Sequence, residues 1–118
     1  MIRLLIILNF ILAATAANSQ EYKQMDAEYM LHAGSIGDPT PATKNDAKVS
    51  LAIKGKAAES IFSQIGPDVK DSCGAESGSR FRTKGGNGVS CQYTKQDGYT
   101  CYVGLDLKRG KLVNSSVC

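Results

Sequence analysis

Apolar and polar residues alternate in the second half of the chain in a way that predicts a strand followed by one helix. From Val49 to Ile53, every second residue is apolar, which is typical of a strand with one buried face. Residues 56–65 then change to helical spacing, and the pair Gly66-Pro67 supplies the residues that commonly end a helix. The apolar residues at helical spacing are Ala58, Ile61, Phe62 and Ile65.

The remainder of the chain reads as short strands separated by turns. Alternating segments at 80–84, 89–93, 99–107 and 111–118 are divided by glycine-containing turns, and Asp-Gly and Arg-Gly pairs favour hairpins. We therefore predict an α+β domain in which one main helix packs on a four- to five-stranded antiparallel sheet, in the order β-α-β-β-β. Its expected core consists of Ile53, Ile61, Phe62, Ile65, Val103 and Leu105.

The segment before this domain is ambiguous. Within residues 21–33, the spacing of Tyr22, Met25, Tyr29 and Met30 indicates an amphipathic helix, although two tyrosines in so short a piece also permit a strand. Residues 34–46 are rich in Gly, Pro and Asp, as in a connector. We expect residues 18–47 to be an N-terminal helix or loop segment with a connector, followed by the domain at 48–118.

The first 17 residues have the order of a secretory signal peptide. Arg3 precedes a run of eleven residues from Leu4 to Ala14 that is apolar except for Asn9, and small residues follow at the positions needed for cleavage after Ala16 or Ala17. A membrane span needs about 20 apolar residues, so this run is too short for one. The pattern predicts a periplasmic or secreted protein with no membrane span after cleavage.

The net charge and length of the chain limit the classes of function that it can have. Cleavage after Ala17 would leave 101 residues and remove Arg3, so the formal charge would fall from +3 to +2. One small domain fits this length. Nucleic-acid binders usually carry a large basic excess, so we expect no nucleic-acid partner.

Four cysteines follow the predicted leader, at positions 73, 91, 101 and 118. An even number in a short exported chain predicts disulfides. A zinc site is the alternative, but C-x-x-C spacing is absent and the one histidine, His32, is distant in sequence. The sequence therefore predicts two disulfide bonds.

Their pairing depends on the last hairpin. A two- or four-residue turn places Leu107 opposite Leu112, and hence Cys101 opposite Cys118. A three-residue turn with Gly110 in the left-handed conformation instead turns Cys118 to the other face. We expect the first register, which predicts the pairs Cys101–Cys118 and Cys73–Cys91.

Few residues suggest catalysis or metal binding. His32 is the one candidate general base, with Glu28 and Ser35 nearby in sequence, but a triad is built by tertiary geometry and a surface or loop histidine is favoured. The glycine-rich residues 85–88 are explained by a turn. A solvated acidic loop is favoured over a calcium site for Asp68, Asp71 and Glu76. We expect no cofactor, no metal and no enzymatic activity.

Basic residues provide the best functional lead. Three alternate along one strand and three gather at the last hairpin, and they are Arg80, Arg82, Lys84, Lys108, Arg109 and Lys111. They either keep an exposed edge soluble or dock an acidic protein surface or an anionic glycan. The expected function is a small exported binding module, of the inhibitor or immunity type, that acts on another exported protein with an acidic surface. The alternatives are a small hydrolase that uses His32 and a structural envelope protein without a discrete ligand.

Overall fold

One helix packs on one face of a six-stranded antiparallel sheet in the residues that the computed structural model describes, which are 20–70, 78–84 and 88–116. The α+β class with a single helix is confirmed for these residues, and the strand count exceeds the expected four to five. The elements in chain order are β1 (Asp26–His32), β2 (Lys48–Lys54), α1 (Gly55–Gln64), β3 (Arg80–Lys84), β4 (Val89–Thr94), β5 (Gly98–Asp106) and β6 (Lys111–Val113).

The strand order of the sheet is β1-β2-β5-β4-β3, and β6 also pairs with β5. The first part of β5 pairs with β4, and its last three residues, from Gly104 to Asp106, pair with β6. Long β5 therefore lies at the centre of the sheet, between β2 on one side and β4 with β6 on the other.

The helical interpretation of residues 21–33 was wrong, and the strand alternative holds for β1. This strand pairs with β2 from Asp26 opposite Lys54 to His32 opposite Lys48. Of the residues that carried the helical spacing, Tyr22 and Met25 precede β1, and the neighbours Tyr29 and Met30 lie on opposite faces of the strand. Pairing with β2 satisfies the backbone along one edge, which outweighs so weak a helical pattern.

Helix α1 begins at the residue after β2, with no connecting loop. Gly55 has φ +66°, a left-handed conformation that glycine adopts without steric cost. The helix buries Ala58 and Phe62 against Ile53 and Cys101 in the core of the sheet. Burial of a side chain such as Phe62 contributes about 2–3 kcal/mol, so this contact holds the helix on the sheet.

The predicted core is confirmed in most positions. Ile53 and Phe62 are buried, and Ile61, Ile65 and Val103 are half-buried against them. Leu105 lies outside this cluster because the helix does not reach its part of the sheet.

The predicted disulfide pairing was wrong. Cys91 lies opposite Cys101 in the register of β4 and β5, and these two residues form a disulfide in the core. The turn at 95–97 sets that register, whereas the prediction rested on the last hairpin. Both expected pairs, Cys73–Cys91 and Cys101–Cys118, are therefore excluded in this structure, and Cys73 and Cys118 themselves lie outside the described residues.

Both predicted registers of the last hairpin were also wrong. Asp106 pairs with Lys111 and Leu105 with Leu112, so the turn spans residues 107–110. Asp106 fixes this turn, since its Oδ1 accepts hydrogen bonds of 3.0 Å from the backbone N–H groups of both Lys108 and Arg109. The same bonds hold the pKa of Asp106 below its usual value.

Within the described residues, α1 falls short of the length and hydropathy that a membrane-crossing helix needs. The predicted leader, residues 1–17, lies outside those residues.

Candidate functional site

The helix side of the sheet is only half covered. Helix α1 lies over the row in which Cys91, Cys101 and Ile53 face one another across three strands. At the end of the sheet that carries β6, the same face is not covered by any described element. We call this uncovered area the open apolar face, and it consists of Tyr29, Leu31, Val49, Leu105, Leu107 and Leu112.

The open apolar face is continuous and accessible. Leu31, Val49, Leu105 and Leu112 form one row across β1, β2, β5 and β6. The exposed fractions of the largest side chains are 73 % for Tyr29, 54 % for Leu31, 51 % for Leu107 and 48 % for Leu112. Single exposed apolar residues are ordinary, but a contiguous group of this kind marks an interaction surface.

Three of the predicted basic residues border this face. Lys84 ends β3 at the same end of the sheet and on the same side, and it is exposed. Lys108 and Arg109 follow Leu107 in the last turn, and the Arg109 side chain is 74 % exposed. Lys111 precedes Leu112 in β6 and therefore points to the opposite face.

The other two predicted basic residues, Arg80 and Arg82, are engaged within the domain. Asp68 accepts from Arg80 Nε and from Arg82 Nε at 2.7 Å each. These hydrogen bonds lower the pKa of Asp68 from 3.8 to about 2. Both guanidinium groups also lie over the Phe62 ring, at 5.0 Å for Arg80 and 4.2 Å for Arg82. The predicted patch thus divides into two residues that support the fold, three that border the open apolar face, and Lys111, which lies on the opposite face.

His32 is buried, so the expectation of a surface or loop histidine was wrong. The residue is 2 % exposed, and its Nε2 lies 2.9 Å from the hydroxyl of Ser50 on β2. Its Nδ1 lies 3.3 Å from the Ala33 carbonyl oxygen, which assigns the ring proton to Nδ1 and makes Ser50 the donor to Nε2. Neither of its sequence neighbours, Glu28 and Ser35, is hydrogen-bonded to the ring.

The His32–Ser50 pair does not have the geometry of a hydrolase. Ser50 lies in the middle of β2, which pairs on one side with β1 and on the other with β5. The backbone N–H groups around it are used by this pairing, so none remains to stabilise an oxyanion. The pair instead ties β1 to β2, a role that the sequence did not reveal because it depends on the pairing of these two strands.

The face of the sheet opposite α1 carries two adjoining cavities, each of about 370 Å³. Ile36 lines both of them, from the loop that follows β1. His32 lines one cavity and Ser50 lines the other, so the buried pair lies beneath the boundary between them. Neither alternation nor helical spacing indicates this site, since Ile36 and Ser115 reach it from irregular segments.

The acidic residues considered for calcium are not brought together by the structure. Asp68 is bound by two arginines, and Asp71 and Glu76 lie outside the described residues, as do residues 85–87 of the glycine-rich turn. No group of three or more potential ligands is close enough to hold a metal ion in the described part of the chain.

No protein-family model, no curated protein and no solved structure shows a significant match to this chain. The function proposed below therefore rests on the geometry of the described residues.

Proposed function

We propose that this protein is an exported binding module that docks another exported protein through the open apolar face and its basic border. The exposure of Tyr29, Leu31, Leu107 and Leu112 on one face of the sheet is the observation that carries this proposal. Specific protein interfaces typically have an apolar centre with a polar rim. The open apolar face supplies the centre, and Lys84, Lys108 and Arg109 supply part of the rim.

The charge of the border indicates the chemistry of the partner. Neither Lys84 nor Lys108 forms an ion pair with a described residue, and Arg109 only approaches Asp106, at 3.9 Å. A second copy of this chain would bring another basic border to the interface. A partner with an apolar projection surrounded by Asp or Glu residues complements the surface better, because opposite charges guide association and reject mismatched partners.

Rigidity supports the same function. The open apolar face is built on paired strands, and the Cys91–Cys101 disulfide lies directly beneath the helix beside it. A surface that is ordered before binding loses little conformational entropy in the complex. This property suits an inhibitor or immunity-type protein, which must hold its target tightly. Export follows from the predicted leader and belongs to the same proposal.

Site-specific photo-crosslinking in the native host tests the proposal. The photoreactive residue p-benzoylphenylalanine replaces Leu31 in one variant and Leu112 in another, and a matched control places it at Gln96, in the turn at the far end of β4. We expect the first two variants to capture one and the same protein, through a peptide that has apolar residues flanked by acidic ones. The Gln96 variant should capture none of it.

Charge reversal provides the second arm of this experiment. Lys84→Glu should reduce capture of that protein several-fold, and more strongly at low salt, because the contribution of exposed charges is screened by ions. Equal capture from all three positions would contradict the proposal. So would a product of twice the mass of this chain, since that product identifies a second copy as the occupant.

A further inference from the structure

We infer that the cavity lined by Ser50, Tyr102 and Ser115 on the face opposite α1 is a binding site for a small amine with an apolar body. Its strand side chains belong mostly to the side of the sheet opposite the open apolar face, and Tyr29 is the one residue of that face that also lines the cavity. Its lining residues come from β1, β2, β5 and the segments at Ile36 and Ser115. Its volume of about 370 Å³ falls within the range of small-molecule sites.

Small side chains on the central strands create the cavity. Met30, Ser50 and Gly104 lie in one row across β1, β2 and β5, and Glu28, Ala52 and Tyr102 lie in the next. The small side chains of Ser50 and Ala52 form the floor, while Met30, Ile36 and Tyr102 form apolar walls around it. An apolar group of a ligand can therefore enter between these walls and lie on the floor.

Ser115 offers a hydrogen bond that the described residues do not use. This residue is 5 % exposed, and its Oγ has no hydrogen-bond partner within the described part of the chain. It lies over Gly104, where a Cβ atom would come within 2.9 Å of the Ser115 Cβ. A buried hydroxyl without a partner is costly, so a ligand with a polar hydrogen-bonding group would relieve that cost.

Glu28 gives the site its charge preference. It lines the cavity, is exposed at its rim, and forms no ion pair with a described residue. Lys48 lines the adjoining cavity, and its ammonium is held by the Asp46 carboxylate at 2.6 Å and by the Gly34 carbonyl at 3.1 Å. A negative rim above apolar walls and a hydroxyl selects a cationic amine with a short aliphatic or aromatic body.

A titration followed by amide NMR tests the site with three probes of matched shape. The probes are benzylamine, benzyl alcohol and benzoate, added to the oxidised protein. We expect benzylamine to shift the amide signals of Ser50, Ala52, Tyr102 and Ser115 saturably, benzyl alcohol to bind about fivefold more weakly, and benzoate most weakly. Equal binding of the three probes, or no saturable shift with benzylamine, overturns the inference.

Two variants on β1 separate the site from a general effect of charge. Glu28→Gln should lower the affinity for benzylamine about fivefold, to the level of benzyl alcohol. Asp26→Asn makes the same change on the same face of the same strand, outside the cavity, and should leave the affinity unchanged. An equal effect of both variants would show that benzylamine responds only to net charge, which overturns the inference.

Ser115→Ala distinguishes a ligand-binding hydroxyl from a structural one. If the hydroxyl is reserved for a ligand, its removal should keep or raise the melting temperature of the free protein and lower benzylamine affinity at least threefold. A lower melting temperature with unchanged affinity would show a structural role and overturn the assignment of this residue.

Discussion

Arg82 on β3 holds the C-terminal end of α1 through Phe62. Its Nη1 donates a 2.8 Å hydrogen bond to the Phe62 carbonyl oxygen, and its guanidinium lies 4.2 Å from the centre of the Phe62 ring. The last carbonyl groups of a helix have no partner within the helix, and α1 has no basic residue in its own last turn. Arg82 supplies both the hydrogen bond and the positive charge from a neighbouring strand.

Replacement of Arg82 should therefore destabilise the domain. We expect Arg82→Ala to lower the free energy of unfolding by about 2 kcal/mol, because it removes a charge-assisted hydrogen bond and a cation–π contact. Urea unfolding followed by circular dichroism measures this change. Arg82→Lys should recover only part of the loss, since an ammonium cannot bond Asp68 and Phe62 in the same planar arrangement.

Lys84→Ala is the matched control for that prediction. Lys84 lies two residues further along the same face of β3, is exposed, and has no ion pair with a described residue. Its removal should change the free energy of unfolding by less than about 0.5 kcal/mol. A destabilisation equal to that of Arg82→Ala would contradict the structural role assigned to Arg82.

The Asp68 ion pairs should make stability depend on acid pH. The pKa of Asp68 is about 2 in the folded protein and has an ordinary value of 3.8. Because the folded pKa is the lower one, the contribution is fully present above about pH 4 and is lost as the pH falls toward 2. The melting temperature of Asp68→Asn should be below wild type at pH 7, and the two should converge near pH 2.

Asp38→Asn is the control for the acid dependence. The Asp38 carboxylate forms no ion pair with a described residue, so this variant should follow the wild-type melting curve at every pH. If the gap between Asp68→Asn and wild type persists at pH 2, the ion pairs with Arg80 and Arg82 do not account for it.

The Cys91–Cys101 bond predicts a specific peptide map. Digestion of the oxidised protein without reduction should give a linked pair of peptides that contain Cys91 and Cys101. Within one chain, Cys73 and Cys118 could then bond only to each other, which the same map would reveal. A peptide that links Cys91 to Cys73 would contradict the register of β4 and β5.

Loss of that bond should cost stability. The bond joins residues separated by 10 positions, for which the chain-entropy estimate is about 3 kcal/mol. The double variant Cys91→Ala, Cys101→Ala should lower the free energy of unfolding by that amount or more, because both sulfurs are also buried in the core. Chemical denaturation under oxidising conditions measures the difference.

Gly104 should tolerate no larger residue. A Cβ at this position would collide with the Val113 carbonyl oxygen and come within 2.9 Å of the Ser115 Cβ. We expect Gly104→Ala to destabilise the domain by about 2 kcal/mol through overpacking. Gly37→Ala is the control, since a Cβ there meets no atom within 4 Å. Similar melting temperatures for the two variants would contradict the close approach of the 113–115 segment to β5.

The strongest periodic signals in the sequence led to correct elements. The alternation of Val49, Leu51 and Ile53 places all three on one face of β2. The helical spacing of Ala58, Ile61 and Phe62 places them on the side of α1 that packs on the core, and both patterns are local properties of the chain. The class of fold followed from them, as did most of the core.

Features that depend on residues distant in the sequence could not be predicted from local periodicity. The role of Arg82 depends on Phe62, 20 positions away in the sequence. The role of Ser50 depends on His32, which lies on the neighbouring strand and 18 positions away. The last hairpin register depends on side-chain bonds from Asp106 that alternation does not encode. The basic residues were identified as a candidate site, but only tertiary packing separates those that support the fold from those that border the open apolar face.

The direct passage from β2 into α1 has an evolutionary consequence. Because no residue separates Lys54 from Gly55, the ten-residue helix starts where β2 ends, and it packs on the row that contains Ile53, Cys101 and Cys91. The exposure of the open apolar face thus follows from the chain connectivity as well as from the apolar residues in that face. A short insertion at this junction would free the helix to slide along the strands and shield them. One change in chain length could therefore convert a protein whose apolar face needs a partner into one whose own helix covers that face.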